Sequence, residues 1–424
     1  MSTYLVGVML AGIGIGMVCN EIMPFSKGFA ARDSEVHGLL DNRLVGATYS
    51  DCLPEVQCSC PRGASFPLII SPGKNGSNSA EVLMEFIEEH SEFIAHVLND
   101  HGAVLFRSWN VNTAKDFERV AQLSVKPDSL FDGVYLGTSP RLPAVDGTRF
   151  VYTASEIPSW VAVSPHLEMS FKRKGVPTKI LFWAKTPNMG PGGETPLVDF
   201  RQVWRDMRDE LRNAFDRKGG VRYTRCYYSQ QAGGSRSLWP WTTHPSFQKS
   251  WEAMFHTDDK DKAVRLAEEQ GFTAEWIYGD ANVLRLTHVM NATRTHPISG
   301  DKHWNNHFGV LHASGWISEY SNAFHRAGDW RFKLEMIASY AYMKMFTLLS
   351  QFALGSDGVG TQVTFGDGSS ISDDDTEYIR SLIWRNAVVS PWQSGDVAFI
   401  DNYRIAHGRQ PFSGERVILT TWVE

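Results

Sequence analysis

Between Ala80 and Gly102 the apolar residues Leu83, Ile87, Ile94, Val97 and Leu98 recur at helical spacing, and Gly102 stands where such a helix must end. The next four residues, AVLF from 103 to 106, form a short continuous apolar run of the kind a buried strand shows. Thr113 with Asp116 then makes a capping box that opens a second amphipathic helix through DFERVAQL. From about residue 150 the rhythm shortens to RFVYTA, KILFWA and TPLVDF, separated by turns such as PNMGPGG. Helical periodicity returns at about 201–216, 260–270 and 329–354, the last broken at Gly355, and the chain closes on GDVAFIDNY and ERVILTTWVE. Early helices followed by many short strands with helical insertions predict an α+β fold on an antiparallel barrel or sandwich.

Composition narrows the partners and the domains. With 424 residues and 42% hydrophobic content the chain can bury a large core. Its 41 basic against 47 acidic residues give a net charge of -6 with no basic block, which argues against nucleic acid. Residues 4–18, YLVGVMLAGIGIGMV, carry no charge; that length suits a signal peptide or a marginal anchor and falls short of the ~20 residues of a membrane-spanning helix. No Lys or Arg precedes the run, so a buried or processed N-terminal strand is the alternative. The expected division is an apolar leader over 1–35, an irregular linker over 36–75 and one main domain over 76–424. The main domain is expected to be soluble, with the leader directing it to the secretory pathway or tethering it to a membrane. Five cysteines, at 19, 52, 58, 60 and 226, predict no disulfide framework, since a core this size needs none and Cys58 and Cys60 are too close for an easy bridge.

The stretch SPHLEMSF raises the chemical question. On a strand, alternate side chains share a face, so His166 and Glu168 would sit about 7 Å apart at the backbone and converge on one ion. His90-Ser91-Glu92 and His256-Thr257-Asp258 match the same spacing, but the first lies in a helix, where residues two apart diverge, and Asp258 stands where a helix N-cap is expected. A third ligand is offered by His407 at the end of a late strand. Two histidines and a carboxylate on one face of iron leave positions open for a chelating cosubstrate and O2, the arrangement of non-haem Fe(II) oxygenases. Arg416, on the strand that returns after Pro411 to Gly414, can hold a carboxylate such as the distal one of 2-oxoglutarate through two charge-assisted hydrogen bonds.

The order His-x-Glu, GGETPL, then a late His with an Arg beyond it resembles the TauD/TfdA family of Fe(II)- and 2-oxoglutarate-dependent dioxygenases, within the clavaminate synthase-like superfamily. HGAVLFRSWNVNTAKDFERV, VYTASEIPSWVAVSPHLEMSF and GDVAFIDNYRIAHGRQPF are similar to that family as well, and the likeness runs from about residue 65 onward. The resemblance implies a double-stranded β-helix, or jelly roll, with flanking helices. It implies His166, Glu168 and His407 as iron ligands, Arg416 as the partner of the 2-oxoglutarate carboxylate and Thr195 as the hydroxyl assisting it. Thr153, Trp304 and Asn306 are the candidate substrate-lining residues. Where the family commonly shows Trp-Phe-Asn, this chain has Trp304-Asn305-Asn306-His307, a departure on the substrate side.

The implied function is oxidation of an unactivated C–H bond of a small molecule, an amino acid or small carboxylic acid among the candidates, by hydroxylation, desaturation or cyclisation, with release of succinate and CO2. Two alternatives stand beside it: a catalytically silent binding module on the same fold, and a zinc hydrolase using His303 and His307, which have the spacing of helical zinc ligands. The substrate itself depends on loops over 220–330 and 355–390 that carry no readable code.

Overall fold

The computed structural model describes residues 52–424 except 75, 133–142, 144–146, 156, 230–249, 278–282 and 355–359. The N-terminal leader and the helix stop at Gly355 therefore lie outside the described residues. Among the described residues no helix is long and apolar enough to cross a membrane.

Helices and sheets are mixed, as the apolar pattern predicts. A seven-stranded sheet runs in the spatial order Val56–Ser59, Leu68–Pro72, Ala103–Phe106, Val397–Asp401, Lys179–Thr186, Val417–Val423 and Tyr152–Thr153. All its pairings are antiparallel except that of Leu68–Pro72 with Ala103–Phe106. A smaller four-stranded sheet has the order Ala387–Ser390, Thr195–Asp199, Ile405–Arg409 and Val163–His166. The two face each other: Phe182 of the large sheet lies 4.8 Å, ring centre to ring centre, from His407 of the small one. A further four-stranded sheet is built from Thr361–Phe365, Val221–Tyr227, Val283–Met290 and Thr273–Ile277.

Period-two alternation gives the large sheet two unlike faces. Ile180, Phe182 and Ala184 point toward the small sheet and join one apolar cluster; Leu181 and Trp183 point the other way and join a second, under the helices Ala80–Glu89, Ser91–His101 and Ala114–Ser124. Those helices form where the spacing places them, with one break. His90 leaves helical geometry (φ -117°) and divides the expected single helix in two, while Gly102 ends the second in the left-handed conformation at φ 73°. The Thr113–Asp116 capping box is present in both directions. At the other match to His-x-acid, the N-cap is Asp259, one residue beyond the expected Asp258.

The segment expected to be an irregular linker over 36–75 contains two strands of the large sheet, with Leu68 and Ile70 fully buried. Each strand is only four or five residues long and is followed by Gly and Pro, so its composition hides the pairing. The cysteines also differ from expectation: Cys52 and Cys58 form a disulfide, spanning a turn rather than the Cys58–Cys60 spacing, and Cys60 is free.

Candidate active site

His166 ends the strand Val163–His166, and His407 is its direct partner across the antiparallel pairing with Ile405–Arg409. That register is what brings residues 241 positions apart in sequence side by side, their rings 4.8 Å apart. Glu168 is not on the strand: it lies just past its end, in a turn where Met169 takes a left-handed φ of 51°. The turn, rather than strand alternation, swings the carboxylate back, and its Oε2 reaches 3.5 Å from His166 Nε2 and 3.6 Å from His407 Nε2. All three side chains are buried, and their donor atoms lie within 4.8 Å of one another; among the described residues this is the one such group of His, Cys, Asp and Glu.

The ring orientation suits a cation. His166 Nδ1 donates to the Ser164 carbonyl at 2.9 Å, which turns Nε2 toward Glu168 and His407. Nε2 and the Glu168 carboxylate face each other at 3.5 Å in a buried site, where charge is costly unless it is shared. A divalent ion between them satisfies both. The residues present therefore fit iron in the two-histidine, one-carboxylate arrangement.

Several neighbours hold this group in place. Asn402, fully buried, accepts the backbone N–H of Glu168 at 2.7 Å and donates Nδ2 to the carbonyls of Glu168 and Pro177 at 3.1 and 2.7 Å. His307 packs edge-on against His166 at 4.6 Å, and burial together with His166 holds its pKa well below the ordinary histidine value. Tyr223 donates to Asn306 Oδ1 and accepts from the His307 backbone N–H, each at 3.0 Å. The composition of DNYRIAH reads as a strand-end turn, so Asn402 is a residue that sequence reasoning misses; its only signal is an Asn five positions before His407.

Arg416 and Thr195 come together as expected. Arg416 donates Nε to the Gly193 carbonyl at 2.8 Å and Nη2 to Thr195 Oγ1 at 3.3 Å, and Trp392 Nε1 donates to the same hydroxyl at 3.0 Å. Among the described residues no carboxylate lies within ion-pairing distance of Arg416. Burial, aided by the charge of Arg409, brings its pKa down to about 9. A guanidinium so placed gains from an incoming carboxylate more than a solvated one does.

The substrate-lining candidates are placed differently. Trp304 is fully buried between Phe200 and Phe308, a core residue. Thr153 pairs with Leu419, on the helix-covered face of the large sheet, because its neighbour Tyr152 takes the inward position against Trp422. Asn306 is buried within the network behind His307, accepting a further hydrogen bond from the Phe308 N–H. The proposed zinc pair also separates. His303 lies on the short strand Lys302–Trp304 and stacks on His296, whereas His307 faces His166, because the intervening residues are not helical.

Two facing sheets with a buried two-histidine, one-carboxylate group fit the donor set of a non-haem iron enzyme. The chain belongs to the taurine catabolism dioxygenase TauD, TfdA family, whose model matches residues 73–422. It is thus a 2-oxoglutarate-dependent dioxygenase that works with Fe(II), 2-oxoglutarate and O2 on a small-molecule substrate, rather than a silent binding module. Among curated proteins it is 28% identical to the dapdiamide synthesis protein DdaC of Enterobacter agglomerans, over 82% of this chain and 89% of that one. It is 26% identical to a clavaminate synthase-like protein of Arabidopsis thaliana, over 84% of this chain and 93% of that one. Among solved structures it is similar to PvcB from Pseudomonas aeruginosa, at 11% identity and a TM-score of 0.46, covering 89% of this chain and 94% of the other.

Proposed function

We propose that the chain is a jelly-roll dioxygenase in which His166, Glu168 and His407 hold Fe(II), and Arg416 with Thr195 holds the distal carboxylate of 2-oxoglutarate. The observation that carries this reading is the convergence of three buried donor atoms, from His166, Glu168 and His407, within 4.8 Å of one another. When bound, iron and 2-oxoglutarate activate O2, release succinate and CO2, and oxidise a C–H bond of the substrate.

The protein's own part is positioning. Ser164 fixes the His166 tautomer, Asn402 fixes the backbone of Glu168, and the strand pairing fixes His407. Arg416 orients the cosubstrate, and Trp392 holds the Thr195 hydroxyl toward it. The apolar surroundings of the inner face, Phe182 among them, keep bulk water from the reacting atoms. With Glu168 filling the carboxylate position there is no vacancy for a halide, so hydroxylation, desaturation or ring closure is favoured over halogenation. The name of the Enterobacter relative, a dapdiamide synthesis protein, supports a biosynthetic role for this chain, and an amino acid or small carboxylic acid is the substrate class we assign to it. The catalytic domain is taken to begin upstream of residue 76, at the strand Val56–Ser59.

Anaerobic addition of Fe(II) and 2-oxoglutarate is expected to give a weak visible charge-transfer band in the wild type and none in His407→Ala. Arg416→Met is expected to retain iron and to raise the KM for 2-oxoglutarate. A band that survives His407→Ala would remove this assignment of the ligands. Succinate release that depends on one member of a panel of amino acids and carboxylic acids would identify the substrate class.

A further inference from the structure

A cavity of about 230 Å³, with neither Phe182 nor an iron-ligand candidate in its lining, lies between the glycine-rich turn 188–194 and the junction of the helices Ala313–Arg326 and Trp330–Leu354. Two opposite charges line it. Arg326 Nη2 lies 3.9 Å from Glu194 Oε1, too far to hydrogen bond, and this buried Nη2 has no hydrogen-bond partner among the described residues. The rest of the wall is mixed: Phe332, Ala323, Ala327 and the ring of Trp392 give it an apolar side, and Asn188, Gln410 and the glycine-rich turn a polar one.

The cavity is constructed rather than left over. The guanidinium of Arg326 lies over the Trp384 ring at 5.6 Å, and Glu319 fixes both Trp384 and Gln410 by accepting from each at 3.1 Å. Gly192 closes one side at φ 78°, where any Cβ would fall 1.9 Å from the Pro411 carbonyl and 2.9 Å from the Phe332 ring. Asn188 ties down the carbonyls of Gly190, Pro191 and Gly192. Burial lowers the pKa of Arg326, a cost that its distant partner Glu194 only partly offsets.

From this geometry we infer that the cavity binds an apolar α-amino acid: its carboxylate on Arg326, its ammonium on Glu194, and its side chain against Phe332 and Trp392. A guanidinium and a carboxylate that line one space yet do not close on each other are matched by a ligand carrying the complementary pair. The space is adequate, since an apolar cavity of roughly 150 Å³ accepts benzene. Trp392 and Gly193 stand between this site and the Thr195–Arg416 pair, so the amino acid would sit one residue away from the cosubstrate contact. The inference stands apart from the assignment of the iron ligands.

The test is calorimetric titration of the protein, loaded with Mn(II) and saturating 2-oxoglutarate, with L-phenylalanine, phenylacetate and 2-phenylethylamine. L-Phenylalanine is expected to bind at least about tenfold more tightly than either single-charge analogue, the factor that one hydrogen bond to a charged group supplies. Arg326→Met is expected to weaken it by a similar factor and to leave the KM for 2-oxoglutarate within twofold, while Arg416→Met shows the reverse. Equal affinity for the three probes, no binding of any, or undiminished binding to Arg326→Met would overturn the inference. The comparison of probes on the wild type needs no variant and so holds even where a substitution prevents folding.

Discussion

Residues 182 and 183 are neighbours on one strand and belong to different parts of the molecule. Trp183 points into the helix-covered layer, stacks on Phe117 at 5.8 Å and donates its indole N–H to the Val111 carbonyl at 2.9 Å. Everything around it is apolar and filled, from Val104 and Phe106 to Phe399. Phe182 points the opposite way and meets the imidazole of His407. On that inner side the apolar packing is interrupted by His166, Glu168, His407 and Arg416, each of which has to be desolvated and held. One face of the sheet carries stability with no chemistry, and the other gives up packing to carry chemistry. The fold tolerates the second because the first is complete.

Substitution of these two neighbours measures that division. Trp183→Ala and Phe182→Ala are each expected to destabilise the protein by about 3–5 kcal/mol, read from denaturant unfolding. Their effects on iron should differ. The folded fraction of Trp183→Ala is expected to bind Fe(II) with wild-type affinity, whereas Phe182→Ala frees the His407 ring to tilt and weakens the metal. If both variants bind iron alike, the two faces differ in geometry only and the division has no functional content.

Legibility in the sequence follows the same division. The helix-covered layer was readable because its signals are local: spacing at Leu83 to Leu98, a capping box at Thr113 and a continuous run at AVLF all lie within a few residues. The strands Val56–Ser59 and Leu68–Pro72 were not, because they are too short to show a period and join the sheet only where Leu68–Pro72 pairs with Ala103–Phe106, more than thirty residues on. At the site, residue types and order pointed to His166, Glu168, His407, Thr195 and Arg416, and the structure brings the first three into one group and the last two into contact. What placed Glu168 was a turn rather than the expected strand. Asn402, whose role is to bind main chain, has no chemical signature of its own in a sequence. The face that Thr153 takes has a related cause: it depends on register, and register is set here by Leu419, far along the chain.

Asn402→Ala sharpens the contrast on the inner face. It removes no ligand and little apolar surface, but leaves the Glu168 N–H and two carbonyls buried without their partner. Loss of such support around a metal ligand is expected to weaken Fe(II) binding about 10–100-fold, with a stability loss of about 1–3 kcal/mol. Metal titration of the apo protein followed by thermal unfolding separates the two quantities. A stability loss with unchanged iron affinity would mean that Asn402 braces the turn without bearing on the ligand.

The smallest expected effect belongs to the outer layer. Thr113 accepts the Asp116 N–H and the Asp116 carboxylate accepts that of Thr113, each at 3.1 Å, at the exposed start of the helix Ala114–Ser124. Thr113→Ala should cost about 1 kcal/mol through the lost cap and nothing else. That helix carries Phe117 beneath Trp183, so the loss is transmitted to the helix-covered face and stops at the sheet. Unfolding at a lower denaturant midpoint with unaltered kcat and unaltered KM for 2-oxoglutarate is the expected result. A change in either constant would show that the sheet passes strain from one face to the other, and that its two faces are not independent.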